Sequence, residues 1–362
     1  MGTCPRYKLY KLSTAHVGHL KVVAVSVMMK AVMCKEAGGP EVLELRDVPR
    51  PVPGQGQVLL KVLYTAINRA DTLQRKGGYA PPPGASQVLG LEAAGEVLAL
   101  GPAVDGWKVG DQAMALLSGG GNAEYVTVLA SHLLRVPAEI TMEKAGAIPE
   151  VWLTAYQLLH FVGRIEAGDT VLVHAGGSGV GTAAVQLVRR AGGRSIVTAG
   201  SQAKIDMAVE LGADRGVNYK IEDFQAKVQE WTGGKGVDII LDCVGGSYSE
   251  RNLGSLAVDG RWVVYGLMGG AEVSGPLLAG LLRKRASICG TTLRARDDAY
   301  KAKLVAAFAK DCLPGFSDRT LKPVVDSVFD IKVTNTQNYF LPCFRMLVMP
   351  TKRWKLTPTM EK

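Results

Sequence analysis

One run of small residues offers the clearest chemistry in this chain of 362 amino acids. The run reads His174-Ala-Gly-Gly-Ser-Gly-Val-Gly-Thr; it follows an apolar segment that starts at Thr170 and opens a segment of helical character, 180–190. Glycines let the backbone turn sharply and approach a pyrophosphate, and a helix N-terminus favours negative charge. A merely tight turn would use the same residues, but the strand–turn–helix context is typical of dinucleotide binding. We therefore predict a dinucleotide site here.

The end of the next predicted strand indicates which dinucleotide binds. An NAD site usually carries Asp or Glu about 20 residues after the glycines, where it holds the ribose hydroxyls. Here strand 194–199 runs into Gly200 and Ser201, and Lys204 follows one helical turn later. A hydroxyl and an ammonium can bind a ribose phosphate, and no carboxylate is present to repel it. The pattern favours NADPH, although Lys204 alone would also suit a solvated helix surface.

A metal site is not indicated by the histidines and cysteines. The chain has five histidines and six cysteines, and none of them form a cluster with the spacing of zinc ligands. His174 ends a predicted buried strand, where a packed neutral imidazole is a more common role than a ligand. We expect no metal in the chemistry.

The elements that must position these residues fall into two groups. Up to about Val128, short strands alternate with Gly-Pro turns, which predicts a twisted, mostly antiparallel β-barrel. From Thr154 onward, apolar strands alternate with helices, the pattern of a parallel, doubly wound sheet. Its six strands are predicted at 170–175, 194–199, 217–219, 237–243, 261–266 and 286–293. The fold class is therefore α/β with a β-barrel domain beside a nucleotide-binding domain.

Composition and charge exclude several classes of protein. The chain is 47% apolar and 21% charged, as in ordinary globular proteins. Its longest early apolar run, Val22 to Met33, is broken by Ser26 and Lys30 and is shorter than the roughly 20 residues of a membrane span. Of the net charge of +9, residues 1–28 carry +4 and residues 331–362 carry +5. Since the remaining body is neutral, nucleic-acid binding is not expected.

The cysteines and the N-terminus bear on localisation. The six cysteines include no C-x-x-C pair, which favours reduced thiols and a cytoplasmic protein. Residues 1–28 contain no acidic residue and lack a secretory cleavage site, so a mitochondrial presequence remains an alternative.

Several longer motifs make the chain resemble a known family. It resembles the medium-chain dehydrogenase/reductase superfamily, and within it the zinc-free quinone oxidoreductases of the zeta-crystallin type, from about Met29 to Ile331. The resemblance is carried by Ala66-Ile-Asn-Arg-Ala-Asp, Pro81-Pro-Pro-Gly-Ala, Gly90-Leu-Glu-Ala-Ala-Gly, Ala175-Gly-Gly-Ser-Gly-Val-Gly, Leu241-Asp-Cys-Val-Gly-Gly and Tyr265-Gly-Leu-Met-Gly-Gly. Zinc alcohol dehydrogenases of this superfamily carry a histidine ligand where this chain has Leu91, and an apolar side chain cannot bind zinc.

The resemblance implies a GroES-like β-barrel catalytic domain and a Rossmann NADPH-binding domain. We expect a disordered N-terminal extension at 1–28. The catalytic domain is implied at 29–152, the Rossmann domain at 153–293 and a return to the catalytic domain at 294–334. An atypical tail follows at 335–362.

The resemblance also implies roles for single residues. The pyrophosphate would contact Ser178, Gly179, Val180 and Gly181. The ribose phosphate would be held by Ser201, Lys204 and Tyr219. The nicotinamide side would be lined by Thr154, Gly266, Leu267 and Met268. The substrate would face Asn68 and Tyr79, the candidate catalytic residues.

Each of these roles has a simpler alternative. Asn68 could only cap a turn beside Asp71, and Tyr79 could be a surface packing residue. Thr154 could be an ordinary helix hydroxyl, and Tyr219 could simply fill its strand.

The activity implied is reduction of quinones by NADPH, by hydride or by single electrons, without metal. An o-quinone or an extended aromatic acceptor would suit an apolar cleft. No general acid is evident, so the proton is expected from water. The alternatives are an NADPH-dependent enone or enoyl reductase and, from another class, a weakly active or non-catalytic NADPH- or RNA-binding protein.

The ends of the chain depart from the family pattern. Relatives finish with a strand that completes the barrel domain, whereas here the pattern stops after Phe329-Asp-Ile-Lys. We therefore expect an unpaired sheet edge, lower stability and disorder at 1–28 and 335–362. Relatives are dimers or larger, so we expect a homodimer or homotetramer, with 286–293 as the edge strand involved.

Overall fold

Two β-sheets, each covered by helices, build the protein. A computed structural model of the chain describes residues 27–273, 275–332 and 342–348. Within these ranges the structure has a six-stranded sheet, a seven-stranded sheet and a small two-stranded sheet. None of the helices in the described ranges has the length and apolarity needed to cross a membrane.

The strands are β1 (Met28–Cys34), β2 (Leu43–Pro49), β3 (Gln57–Ile67), β4 (Glu92–Leu100), β5 (Gln112–Leu116), β6 (Tyr125–Leu129), β7 (Leu133–Arg135), β8 (Thr170–Val173), β9 (Arg194–Ala199), β10 (Arg215–Asn218), β11 (Val237–Asp242), β12 (Leu256–Val264), β13 (Ser287–Gly290), β14 (Ser327–Lys332) and β15 (Pro342–Val348).

The α-helices are α1 (Arg69–Arg75), α2 (Met142–Ala145), α3 (Pro149–Tyr156), α4 (Gly179–Arg190), α5 (Gln202–Glu210), α6 (Phe224–Trp231), α7 (Ser249–Ser255), α8 (Leu277–Lys284) and α9 (Asp298–Ser317). Helix α3 continues into a π-helical segment, Gln157–Val162.

The six-stranded sheet is parallel throughout and has the order β10-β9-β8-β11-β12-β13. All four residues of β8 are buried, because helices cover both faces of the sheet. Strand order reverses at β8, whose neighbours are β9 and β11, and ligands of doubly wound sheets bind at such a switch point. The prediction of a parallel, six-stranded, doubly wound sheet is confirmed, and strand β12 begins earlier than predicted, at Leu256.

The seven-stranded sheet has the order β14-β15-β3-β4-β5-β7, and β6 also pairs with β3. Strands β6 and β15 lie on the same side of β3. Strand β6 pairs antiparallel with the first part of β3, at 57–61, and β15 pairs parallel with the last part, at 64–67. The other pairings in this sheet are antiparallel, as the sequence predicted for the barrel domain.

The expectation that this sheet lacks its final strand is wrong. Strand β15 fills the position between β14 and β3, although its sequence departs from the family pattern. Backbone groups make the ladder, so a segment without a recognisable motif can occupy it. Of the segments expected to be disordered, 27–28 and 342–348 are described by the structure, and residues 1–26, 335–341 and 349–362 lie outside the described ranges. The five predicted segment boundaries stay predictions.

A continuous apolar core joins the two sheets. Its largest cluster includes Leu134 and Met114 from the barrel sheet and Val171 and Leu241 from the parallel sheet. Helix α3 contributes the buried Trp152, which contacts Phe316 of α9 edge to face with ring centroids 4.8 Å apart. Helices α3 and α9 therefore pack against each other within the core that joins the two sheets.

Candidate active site

The turn after β8 has the geometry of a dinucleotide cradle. Ser178 caps helix α4, and its Oγ accepts a hydrogen bond of 3.0 Å from the backbone N–H of Gly181. A Cβ at Gly181 would lie 2.4 Å from the carbonyl oxygen of Ala175, so only glycine fits. Gly179 and Val180 lie in the first helical turn, where an α-helix has no internal partners for its N–H groups. These donors suit a pyrophosphate.

His174, at the end of β8, is a structural residue. It is fully buried, and burial lowers the pKa of its imidazole. Its Nε2 lies 2.7 Å from Oδ1 of Asn252 and its Nδ1 lies 2.9 Å from Oγ1 of Thr198. The amide oxygen can only accept, so Nε2 carries the proton and Nδ1 accepts from the threonine. This agrees with the packed neutral imidazole that the sequence indicated.

The residues predicted to hold a ribose phosphate lie together at the ends of β9 and β10. The aliphatic part of Lys204 lies against Gly177 of the cradle: a Cβ at Gly177 would lie 2.9 Å from Cβ of Lys204. A Cβ at Gly200 would lie 2.8 Å from the hydroxyl of Tyr219 and 3.3 Å from Cε of Lys220. The structure thus adds a second ammonium, Lys220, which sequence reasoning missed.

Ser201 completes this corner. It is the N-cap of helix α5, in extended conformation, but its side chain makes no capping hydrogen bond with the helix. Its hydroxyl is therefore not committed to the helix. Tyr219 is 41% exposed, which suits a hydroxyl that faces a ligand.

The turn Gly266-Leu267-Met268 follows β12 and is fixed against the end of β11. The N–H of Met268 donates to the carbonyl of Cys243 at 3.1 Å, and a Cβ at Gly266 would lie 3.0 Å from that same oxygen. Leu267 and Met268 are 55% and 53% exposed, an unusual state for such large apolar side chains. They provide apolar surface next to the cradle. Thr154 lies on helix α3 and is partly buried.

Asn68 and Tyr79 lie at either end of helix α1, on the barrel side. Asn68 is the N-cap of α1, and its backbone N–H donates to Oδ2 of Asp71 at 2.7 Å. Asn68 thus occupies the capping position that the alternative assigned to it, whereas its side chain binds another element: Nδ2 donates to Oε1 of Glu92 at 2.7 Å. Tyr79 is partly buried, with the guanidinium of Arg294 over its ring, 5.3 Å from the centroid.

A cluster of buried ionisable groups surrounds these two residues, and sequence reasoning missed it. Burial raises the pKa of Asp71 to about 6 and that of Glu92 to about 7. Burial, followed by the negative charge of Glu92, also raises the pKa of Glu150 on α3 well above its ordinary value. Positive charge comes from Arg294, which acts on Asp71 and Glu150, and from Lys301, which acts on Glu150.

The two cations are held by Ser118. Arg294 is 3% exposed; its Nε donates to the carbonyl oxygen of Ser118 at 2.9 Å, and Nη2 donates to Gln74 at 2.7 Å. Lys301, from α9, donates to Oγ of Ser118 at 2.7 Å. The segment after β13 is thereby joined to the barrel domain beside Tyr79. Only one signal could have revealed this cluster from sequence: a glutamate inside the apolar run Gly90-Leu-Glu-Ala-Ala-Gly.

The described residues fit a dinucleotide and offer no metal centre. At Gly181 only a glycine fits against the backbone of Ala175 and Gly176, and this close packing fixes the turn that leads to the N-terminus of α4, where N–H groups can bind a pyrophosphate. In the part of the chain that the structure describes, no group of three or more His, Cys, Asp or Glu side chains is placed to hold a metal ion. Leu91, at the position of the superfamily's zinc-binding histidine, is 1% exposed.

Comparisons with known proteins agree with this architecture. The family models for the alcohol dehydrogenase GroES-like domain and for the zinc-binding dehydrogenases match residues 54–138 and 179–310. The human quinone oxidoreductase is 31% identical over 307 residues, which are 84% of this chain and 91% of the relative.

Two solved structures extend the comparison. Quinone oxidoreductase from Escherichia coli, solved in complex with NADPH, is 29% identical and has a TM-score of 0.72 over 82% of this chain and 90% of that one. The CurK enoyl reductase shares the fold, with 24% identity and a TM-score of 0.73 over 89% of this chain and 99% of that one. The fold and the site thus define a medium-chain dehydrogenase/reductase. Within that superfamily, the chain belongs to the zinc-free quinone oxidoreductases.

Proposed function

We propose that this protein is an NADPH-dependent quinone reductase that transfers hydride, or single electrons, to quinones, with o-quinones favoured. The observation that carries the proposal is the corner at the ends of β9 and β10. There Lys204 lies against Gly177 of the glycine turn and Tyr219 lies against Gly200, with no carboxylate at the end of β9. A ribose phosphate distinguishes NADPH from NADH, and this corner offers an ammonium and hydroxyls for it.

The residues that would hold NADPH follow from their places. Ser178, Gly179, Val180 and Gly181 would face the pyrophosphate, and Ser201, Lys204 and Tyr219 the ribose phosphate. Thr154 and the turn Gly266-Leu267-Met268 would line the nicotinamide. When bound, the nicotinamide supplies the reducing equivalents, and the protein supplies position and electrostatics.

On the acceptor side, Asn68 and Tyr79 orient the acceptor oxygens. Burial, and then the charge of Glu150, raise the pKa of the Tyr79 hydroxyl, so it stays protonated and donates a hydrogen bond at neutral pH. The positive charge of the buried Arg294 guanidinium beside it stabilises the negative charge that develops on a reduced acceptor. Quinones are strong acceptors and need no Lewis acid, and Leu91 cannot act as a zinc ligand.

The decisive experiment follows NADPH absorbance with an ortho-naphthoquinone, with a simple enone and an enoyl thioester as parallel acceptors. We expect turnover with the quinone, a clear preference for NADPH over NADH, and little turnover with the other two acceptors. Binding of NADPH, read by tryptophan fluorescence quenching, without quinone turnover would refute the reductase proposal. Faster turnover of the enone or the enoyl thioester would instead identify an enone or enoyl reductase.

For the assembly, we propose a homodimer, or a homotetramer built from such dimers. Strand β13 is an edge of the six-stranded sheet, and all four of its residues are exposed. Beside it, Leu278 and Leu282 of α8 are 81% and 82% exposed, and Ile288 is 41% exposed. An open edge with apolar neighbours suits pairing with a second copy. Sedimentation velocity should show a dimer or tetramer, and a monomer at micromolar concentration would contradict this.

For localisation, we propose the cytoplasm. The four cysteines within the described ranges, Cys34, Cys243, Cys289 and Cys312, are free thiols, as in a reducing compartment. Targeting of a tagged full chain to another compartment would contradict this assignment.

A further inference from the structure

The Glu92 carboxylate connects two parts of the acceptor side. It is fully buried in β4, and each of its oxygens accepts one hydrogen bond. Oε1 accepts from Nδ2 of Asn68 at 2.7 Å, and Oε2 accepts from the backbone N–H of Glu150 at 3.0 Å. Glu92 therefore joins the N-cap of α1 to the first turn of α3, the helix that also carries Thr154.

The two hydrogen bonds that Glu92 accepts fit the ionised form of its carboxyl group. An amide NH2 and a backbone N–H can only donate, so both carboxylate oxygens must accept. An ionised carboxylate does this with both oxygens, whereas a protonated one turns one oxygen into a donor. A proton on Oε1 would face the amide NH2 of Asn68, donor against donor. The amide would then have to rotate and place its oxygen toward Glu92.

Charged groups from every neighbouring element act on this carboxylate, directly or through Glu150. Burial is the largest influence and raises the pKa of Glu92 to about 7; the two hydrogen bonds lower it, and the charge of Asp71 on α1 raises it. Glu150, on α3, interacts with Glu92 and in turn with Arg294 and with Lys301 of α9. Glu92 is consequently ionised above neutral pH and protonated below it.

We propose that Glu92 is a positioning residue for quinone reduction: its ionised carboxylate holds the Asn68 amide in the one orientation that serves the acceptor, and its protonation releases that amide. This inference rests on the proposed function, because Asn68 acts on the acceptor only if the protein reduces one. It gives the pH dependence of the reaction a defined origin outside the residues that touch the acceptor. A merely structural Glu92 would leave that dependence unchanged.

The test measures kcat and KM for an ortho-naphthoquinone against pH in the wild type and in Glu92→Gln. For the wild type, kcat should fall as the pH drops through about 7, the pKa of Glu92. In Glu92→Gln, kcat at alkaline pH should fall by about tenfold, the effect of one lost charge-assisted hydrogen bond, and the acid limb should disappear. The KM for NADPH should not change.

Two control variants make this assignment specific. Glu96→Gln alters an exposed glutamate of the same strand and should keep the wild-type pH profile. Glu150→Gln removes the neighbouring carboxyl but leaves the backbone N–H that Glu92 binds, so it should retain an acid limb. An acid limb that persists in Glu92→Gln and vanishes in Glu150→Gln would overturn the proposal and assign the limb to Glu150.

Asn68→Ala answers the same question if Glu92→Gln does not fold. Since Glu92 acts through Asn68, Asn68→Ala should show reduced kcat without an acid limb. An acid limb of full depth in this variant would overturn the proposal.

A second measurement separates this inference from the proposed function. Melting temperatures at alkaline pH of Glu92→Gln, Asn68→Ala and the double variant form a thermodynamic cycle that needs no activity. The two substitutions should be non-additive because the residues bind each other. Additive effects would overturn the coupling even in an active enzyme, whereas non-additive effects in a protein without quinone turnover would refute only the reductase activity.

Discussion

The dinucleotide cradle and the proposed acceptor side are built by different physical means. At the cradle, the backbone of one short turn does most of the work, and space is the limiting quantity: a Cβ at Gly181 would lie 2.4 Å from a carbonyl oxygen. On the acceptor side, side chains from α1, β4, α3, α9 and the segment after β13 form a buried charged cluster. There the limiting quantity is the cost of burying charge.

This difference predicts how each side responds to change. A site built from close backbone contacts should be destroyed by a single added carbon atom and should be insensitive to pH. A site built from buried carboxyl groups should tolerate isosteric substitution and should depend strongly on pH. The following experiments test that contrast, beginning with the largest expected effect.

Gly181→Ala should abolish tight NADPH binding. The added methyl would meet the backbone of Ala175 and Gly176, which cannot move away as a flexible side chain could. We expect a loss of about a thousandfold in affinity, on the order of 4 kcal/mol, measured by fluorescence quenching. The matched control is Gly290→Ala, since nothing lies within 4 Å of a Cβ at Gly290. Equal affinities of the two variants would show that the cradle is not limited by space.

Glu92→Gln should make stability less dependent on pH. The pKa of Glu92 rises from its ordinary 4.5 to about 7 on folding, so the folded state retains a proton that the unfolded chain has released between these values. The stability from this group is fully present below about 4.5 and is lost as the pH rises through about 7. Relative to the wild type, Glu92→Gln should gain about 3 kcal/mol in free energy of unfolding across this range.

Denaturant unfolding of both proteins at several pH values measures that gain. Contributions from the buried His132 and His174 cancel in the difference, because neither interacts with Glu92. Glu96→Gln, on the exposed face of β4, should show a constant difference from the wild type. A constant difference for Glu92→Gln as well would mean that burial does not hold a proton on this carboxyl.

Lys204→Ala should reduce the preference for NADPH. Lys204 is the candidate partner of the ribose phosphate on helix α5, and Lys220 and Tyr219 would remain in the variant. We expect KM for NADPH to rise about tenfold, with KM for NADH unchanged, from steady-state kinetics with both coenzymes. Lys227→Ala, which removes the same charge from α6, should alter neither value. A parallel rise for NADH would show that Lys204 does not recognise the phosphate.

The same contrast explains what could be predicted from the sequence. The cradle and its strand–turn–helix context are local, so the sequence around 170–190 indicated both the turn and its ligand. The residues predicted to hold the ribose phosphate follow two adjacent strand ends, and Lys204 lies against Gly177 while Tyr219 lies against Gly200. Their role stays a prediction. The charged cluster joins Asp71, Glu92, Glu150, Arg294 and Lys301, which are far apart in the chain. No local pattern relates them, and their pKa values depend on burial that only the folded chain has.

At the end of the barrel sheet, sequence motifs predicted that a strand was missing although the structure contains it. Motif comparison stopped at 331 and predicted a missing strand, but β15 pairs with β3 through backbone groups that every sequence has. Asn68 is a related case, because both interpretations of it were partly right: it caps α1 and also presents its amide to Glu92. Its catalytic role stays a prediction.

The place of β15 also bears on how the chain folds during synthesis. Strand β3 leaves the ribosome early, with β4 and β6 soon after it, whereas its parallel neighbour is translated only after the whole six-stranded sheet. Because β6 pairs with 57–61 on that side, the nascent chain must keep residues 64–67 of β3 unpaired there while the nucleotide-binding half forms. An unpaired strand edge on a ribosome-bound chain can be bound by chaperones. A chain whose translation stops before β15 would keep that edge of β3 unpaired.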